Sequence, residues 1–154
     1  MDAIRPISES ENYTAINIGA LDKLMEHSLV HPKLGAKIEG KVFLKEPTKA
    51  TGTEISIQML MPYSELSYFH NHTKNEETYI ILKGSGDFQV DEDCFPISEG
   101  RVVRVAPEGK RCLRNSSEEP MIYMVIQSKK DSLEEYSTQD GKRVAHETKW
   151  NRNE

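Results

Sequence analysis

The sequence predicts an all-β fold, an antiparallel sandwich or barrel, and three observations carry that prediction. From Lys41 to Gln127, short apolar stretches follow one another at short intervals. Gly, Pro, Asn and Asp punctuate the gaps between them, as they do between short antiparallel strands. Apolar spacing at the helical period is nearly absent over the same span, which disfavours a helical bundle.

Taken in order, the first forty residues are mixed in character. "NYTAINIGALDKLMEHSLVHPKLG" predicts a short strand at Ala15–Ile18 and a helical turn or two near Leu21–Glu26. Asp22 is the expected N-cap there, because its carboxylate can accept from the orphan amides of the first turn. The strand candidates from Lys41 onward are "KVFL", "EISIQMLM", "SYFHNH", "ETYIIL", "DFQV", "CFPI", "RVVRVA", "CLRN" and "MIYMVIQ". The "GSG" at Gly84–Gly86 lies between two strands and not before a helix, so it reads as a hairpin turn and not as a phosphate cradle. After Gln127 the chain turns hydrophilic, with Leu133, Tyr136, Val144 and Trp150 as its anchors. That segment reads as a polar surface tail, or as one whose Leu133 and Tyr136 pack back to close the barrel or form a dimer. The expected division is an N-terminal extension over 1–40, a barrel over 41–128 and a C-terminal tail over 129–154.

Composition sets the bounds on function. At 154 residues the chain is long enough for one domain with a real core. Its 20 basic and 25 acidic side chains include no clustered basic stretch, so nucleic-acid binding is not expected. No apolar run approaches the ~20 residues of a spanning helix, and no membrane association is expected. The N-terminus lacks the apolar segment of a secretory signal, and the two cysteines, Cys94 and Cys112, make no disulfide framework. These features predict a reduced, cytoplasmic protein.

"FHNHTKNEETYIILKG" is the stretch that bears on chemistry. In a strand, residues two apart share a face, so His70 and His72 would present two imidazoles side by side. Glu77, Tyr79 and Ile81 share a face of the next strand, and hairpin pairing would return Glu77 opposite the histidines. Two imidazoles and a carboxylate can bind a divalent first-row ion and leave positions open for water or substrate. Read alone, the same residues are equally a polar loop leading into an ordinary strand.

This stretch resembles the first motif of the cupin superfamily, in which His-x-His, a glutamate and a glycine stand at set intervals. The interval from Glu77 to Gly84 fits that pattern and selects Glu77 over Glu76 as the carboxylate ligand; Ser64 stands where the motif begins with glycine. "GRVVRVAPEGKRCLRN" resembles the second motif in part. Pro107-Glu108-Gly109 fits, one extra residue separates Gly100 from Pro107, Cys112 stands at the histidine position, and Asn115 comes one residue early. The resemblance spans about half the chain, roughly from Glu54 to Gln127.

The resemblance implies an antiparallel jelly-roll barrel with a divalent transition metal (zinc, nickel, manganese or iron) in one mouth. Its ligands would be His70, His72 and Glu77, with Cys112 either a thiolate fourth ligand or a buried apolar filler. Tyr79 and Glu76 become candidates for moving protons, Tyr79 being equally suited to packing. If Cys112 faces inward, so do Lys110 and Arg114, which would receive a small anion; if the alternation slips at Gly109, both are solvent-facing charges. The functional expectation is a small-molecule cupin working by Lewis-acid chemistry of the isomerase or lyase kind. A non-catalytic ligand-binding or sensing cupin and an iron- or manganese-dependent dioxygenase are the alternatives. Small cupins commonly pair, so the resemblance also implies a homodimer, with the Ala15–Ile18 strand adding to a partner's sheet.

Overall fold

The computed structural model describes residues 4–30 and 35–150. Among these residues twelve strands run β1 Pro6–Ser10, β2 Tyr13–Ile16, β3 Ser28–Val30, β4 Lys37–Glu39, β5 Lys41–Phe43, β6 Glu54–Leu60, β7 Asn75–Lys83, β8 Ser85–Val90, β9 Asp93–Ser98, β10 Val102–Val105, β11 Arg111–Arg114 and β12 Met121–Lys129. All pairing is antiparallel. A five-stranded sheet of order β10-β7-β12-β6-β5 faces a three-stranded sheet of order β11-β8-β9. The small hairpins β1-β2 and β3-β4 stand outside this pair.

Period-two alternation builds the interior. Leu60, Tyr79, Ile81, Tyr123 and Val125 of the large sheet meet Phe88, Ile97 and Leu113 of the small one. Each such side chain, fully buried, is worth about 1.5–3 kcal/mol of transfer free energy. The other face of the large sheet is apolar too. Val42, Ile57, Met59 and Ile122 pack there under Leu24, which a 3-10 helix over Leu21–Glu26 holds wholly buried. The N-terminal residues thus cover an outer sheet face that water would otherwise meet.

Four local expectations are corrected. Ala20, not Asp22, occupies the N-cap position, and no side chain caps that helix; Asp22 lies within its first turn. The strand expected at Ala15–Ile18 runs instead over Tyr13–Ile16 as β2, and β1 of its own chain pairs with it along one edge. The stretch before His70 forms no strand, only single bridges from Glu65 to Arg114 and from His70 to Arg111. Finally, "GSG" is not a hairpin turn: β7 and β8 belong to different sheets, and Gly84, at φ 81°, carries the chain from one to the other.

From Lys130 onward the chain has no regular strand or helix through residue 150. Leu133, Tyr136, Val144 and Trp150 are all exposed. None of them packs on the barrel, so the closing role weighed for Leu133 and Tyr136 is not realised within the chain.

Candidate metal and ligand site

Cross-strand pairing sets the inner face of the large sheet in rows. One row joins Glu54, Gln127, Glu77 and Val105 across β6, β12, β7 and β10. The next holds Phe43, Ser56, Val125, Tyr79 and Val103, and a third holds Lys41, Gln58, Tyr123 and Ile81. These rows bound a cavity of about 340 Å³, into which His70 and His72 also face.

The histidines reach the cavity differently from the expected hairpin. His70 exchanges backbone hydrogen bonds with Arg111, and the His72 amide donates to the Pro107 carbonyl at 2.9 Å. The segment is therefore laid along β11 and the turn before it, opposite β7. The two imidazoles stand edge to face with centroids 5.5 Å apart.

Glu77 is the centre of the site. Its Oε1 lies 3.1 Å from His72 Nε2, and its Oε2 lies 3.5 Å from His70 Nε2. Tyr79 donates to Oε2 at 2.6 Å, and Gln127 Nε2 donates to Oε1 at 3.2 Å. Asn75 holds the Gln127 amide by donating to its Oε1, which turns the Gln127 NH₂ toward Glu77 and His72. Burial by itself would push the Glu77 carboxyl up. Hydrogen bonds from His70 and Tyr79, with the charge of Arg111, overcome it and hold the group far below the usual carboxylate range.

Arg111 is the residue that sequence reasoning missed. Its side chain is wholly buried, with Nε 2.9 Å and Nη2 2.8 Å from Glu77 Oε2. Nη1 donates to the carbonyls of Gly109 and Pro107. Counting back from Asn115 by the motif's own interval arrives at Arg111, whereas counting forward from Gly109 arrives at Cys112. Asn115, itself buried, donates to the carbonyls of Leu60, Met61 and Glu119, so it pins the register of β11. The count back from Asn115 was the signal available in the sequence.

The register of β11 corrects three expectations together. Arg111 and Leu113 point inward, so Cys112 and Arg114 point outward. Cys112 is not among the converging ligands. It donates to the Leu66 carbonyl at 3.4 Å, and burial pushes its thiol up, away from a thiolate. It lines a separate outer groove of about 440 Å³, larger than the inner cavity but holding neither histidine nor Glu77. Arg114 is paired with Asp87 at 2.8 Å, and Lys110 is exposed with its amide on Asp91. Neither reaches the inner cavity.

The two candidate proton movers also part company. Glu76 faces the opposite way from Glu77, is held by Arg104 and does not line the cavity. Tyr79 lines it, but its proton is committed to Glu77. Burial, then the neighbouring Glu77 charge, holds the phenol far above its ordinary range, so it orients the carboxylate and does not act as a base near neutrality.

These residues fit a divalent ion. One ligand atom from each of His70, His72 and Glu77 lies within 4.8 Å of the others. Bonds of about 2.1 Å at tetrahedral to octahedral angles require ligand atoms roughly 3.0–3.4 Å apart; here His72 Nε2 lies 3.1 Å from Glu77 Oε1 and His70 Nε2 lies 3.5 Å from Oε2. Arg111 cannot ligate, so the protein offers three donors, and its guanidinium leaves the cluster with no net negative charge when both imidazoles are neutral.

The comparisons agree with this architecture. A family model described as "Cupin domain" matches residues 57–127. A cupin protein from Bacteroides fragilis is 35% identical over 68% of this chain and 89% of its own, with a TM-score of 0.66. The chain belongs to the cupin superfamily. A Cupin 2 conserved barrel domain protein from Salinispora arenicola shares 20% identity over 75% of this cupin and 91% of its own chain, TM-score 0.58. A sugar phosphate isomerase from Silicibacter pomeroyi shares 17% over 66% and 68%, TM-score 0.55; these two likenesses carry the fold alone. No curated protein matches the chain. No helix among the described residues is long and apolar enough to cross a membrane.

Proposed function

We propose that this cupin holds a divalent transition metal on His70, His72 and Glu77 and binds a small polar or anionic molecule beside it. The observation that carries the reading is the convergence of one ligand atom from each residue, all within 4.8 Å of one another, on a cavity of about 340 Å³. That volume lies in the range of small-molecule sites. A bound ion would supply a Lewis acid toward a carbonyl or enolate oxygen, which suits isomerase or lyase chemistry. The protein's own contribution is to fix Glu77. Arg111, Tyr79 and Gln127 hold both of its oxygens, so the carboxylate enters the site ionised and oriented.

A second reading, ligand binding or sensing without turnover, draws on the same hydrogen bonds. Tyr79 is committed to Glu77 and Glu76 lies outside, so neither expected proton mover is free. Iron or manganese in the site would instead favour oxygenase chemistry. A homodimer in the cytoplasm is the setting we read for it, and light scattering of the purified chain tests the assembly.

Metal analysis of the purified protein by plasma mass spectrometry, with His70→Ala and His72→Ala alongside, tests the site. Wild type should carry near-stoichiometric metal, and each variant should lose most of it. Equal metal in wild type and both variants would overturn the assignment.

A further inference from the structure

Lys41 opens β5 at the edge of the large sheet, in the cross-strand row of Gln58, Tyr123 and Ile81. It lines the same cavity as the histidines and Glu77. Burial pushes its ammonium down from the ordinary lysine range, with Glu77 and Glu54 acting against that from a distance. Its Nζ rests over the Phe43 ring, 4.9 Å from the centroid. No carboxylate among the described residues comes within ion-pair distance of it.

Among the described residues, the other cations near the site are engaged or lie off the cavity. Lys37, which also lines the cavity, is paired with Glu39 at 2.6 Å. Arg111 is locked on Glu77, Arg114 is on Asp87 outside, and Lys110 is exposed and off the cavity. A half-buried ammonium over an aromatic ring, with no carboxylate among the described residues at ion-pair distance, is half of an ion pair. No described residue supplies the other half.

We propose that Lys41 is the specificity-determining residue of the cavity, recognising the carboxylate or phosphate group of a small anionic ligand whose other end lies at the His70–His72–Glu77 cluster. β5 and β7 stand three strand spacings apart in the sheet order, at ~4.8 Å each. A ligand reaching from Lys41 to the imidazoles therefore spans several bonds. Ser56, Gln58 and Tyr123, on the wall between them, can serve its middle part. The inference rests on the ligand-binding reading above and names the ligand's charge. It also moves the anion site from Lys110 and Arg114 to the opposite sheet.

Calorimetric titration of the full chain tests this with succinate and glycerol 3-phosphate, against succinamide and glycerol as neutral counterparts. The comparison uses wild type, Lys41→Met and Lys41→Arg, each metal-loaded and chelator-stripped. At least one anion should bind wild type better than its neutral counterpart. It should weaken about tenfold or more in Lys41→Met, the loss expected for a hydrogen bond to a charged group. Lys41→Arg should recover most of the affinity. Which anion responds separates a carboxylate from a phosphate ligand. Should Lys41→Met lose cooperative unfolding, Lys41→Gln serves as the neutral variant. The proposal is overturned if neither anion outbinds its neutral counterpart, or if the neutral variant binds as tightly as wild type. Metal content read on the same samples keeps the two readings apart. Unchanged anion affinity with metal still bound defeats Lys41 alone. Lys41-dependent affinity in protein whose metal content ignores both histidine variants defeats the metal site alone.

Discussion

Arg111 and Glu77 form an ion pair inside the barrel, with exposures of 0% and 7% for their side chains. Burying two charges is expensive, and removing one partner leaves the other without compensation. Arg111→Met should therefore destabilise the protein by about 3–5 kcal/mol, read by urea denaturation. Added divalent metal should return part of that loss, because it would take over the neutralisation of Glu77. A loss below ~1 kcal/mol, within the range of an exposed pair, would mean that the pair is not desolvated in solution.

Glu77 also sets a pH dependence, and its sign follows from the depressed folded-state pKa. Such a carboxylate contributes stability that is full above its unfolded value and is lost as pH falls toward the folded one. The stability difference between wild type and Glu77→Gln should be level above about pH 5. It should shrink on acidification below about pH 4.3, the unfolded value. Denaturation midpoints across that range check it; a difference that widens on acidification would show the carboxylate to be protonated in the fold.

At the scale of elements, the change of sheet between β7 and β8 depends on one residue. Gly84 stands at φ 81°, where an L side chain is strained, and a Cβ there would lie 2.8 Å from the Pro120 carbonyl oxygen and 2.9 Å from Met121 Cα. Backbone on both counts cannot turn aside. Gly84→Ala should cost roughly 2–4 kcal/mol, from left-handed strain added to overpacking, and the urea midpoint measures it. The register of β11 is the other decision at this scale. Leu113 must enter the core, and Asn115 must reach three carbonyls at the end of the strand. Those two demands send Arg111 inward and Cys112 outward.

Across the whole molecule, the two sheets bury one core between them, and the N-terminal residues cover a second outside the larger sheet. The C-terminal segment joins neither, since Leu133, Tyr136, Val144 and Trp150 are each at least 74% exposed. Ending the chain at Lys130 should change the unfolding free energy by no more than about 0.5 kcal/mol, the usual size for exposed positions. A larger drop in thermal denaturation would place part of that segment on a folded surface.

The sequence by itself determined the sheet class, the residues of most strands of the two sheets, and the His70, His72 and Glu77 cluster. Those features are local. Alternation at period two, turn residues and the short spacing within a motif all act between near neighbours, so they are legible without a fold. Tertiary structure alone decided which sheet each strand joins and which way β11 faces. It also placed Arg111 behind Glu77 and made Lys41, seventy residues from Arg111 in the chain, a wall of the same cavity. A one-residue shift in strand register turns every side chain to the other face. Only the packing of Leu113 and the anchoring of Asn115, both set by distant partners, could choose between Cys112 and Arg111.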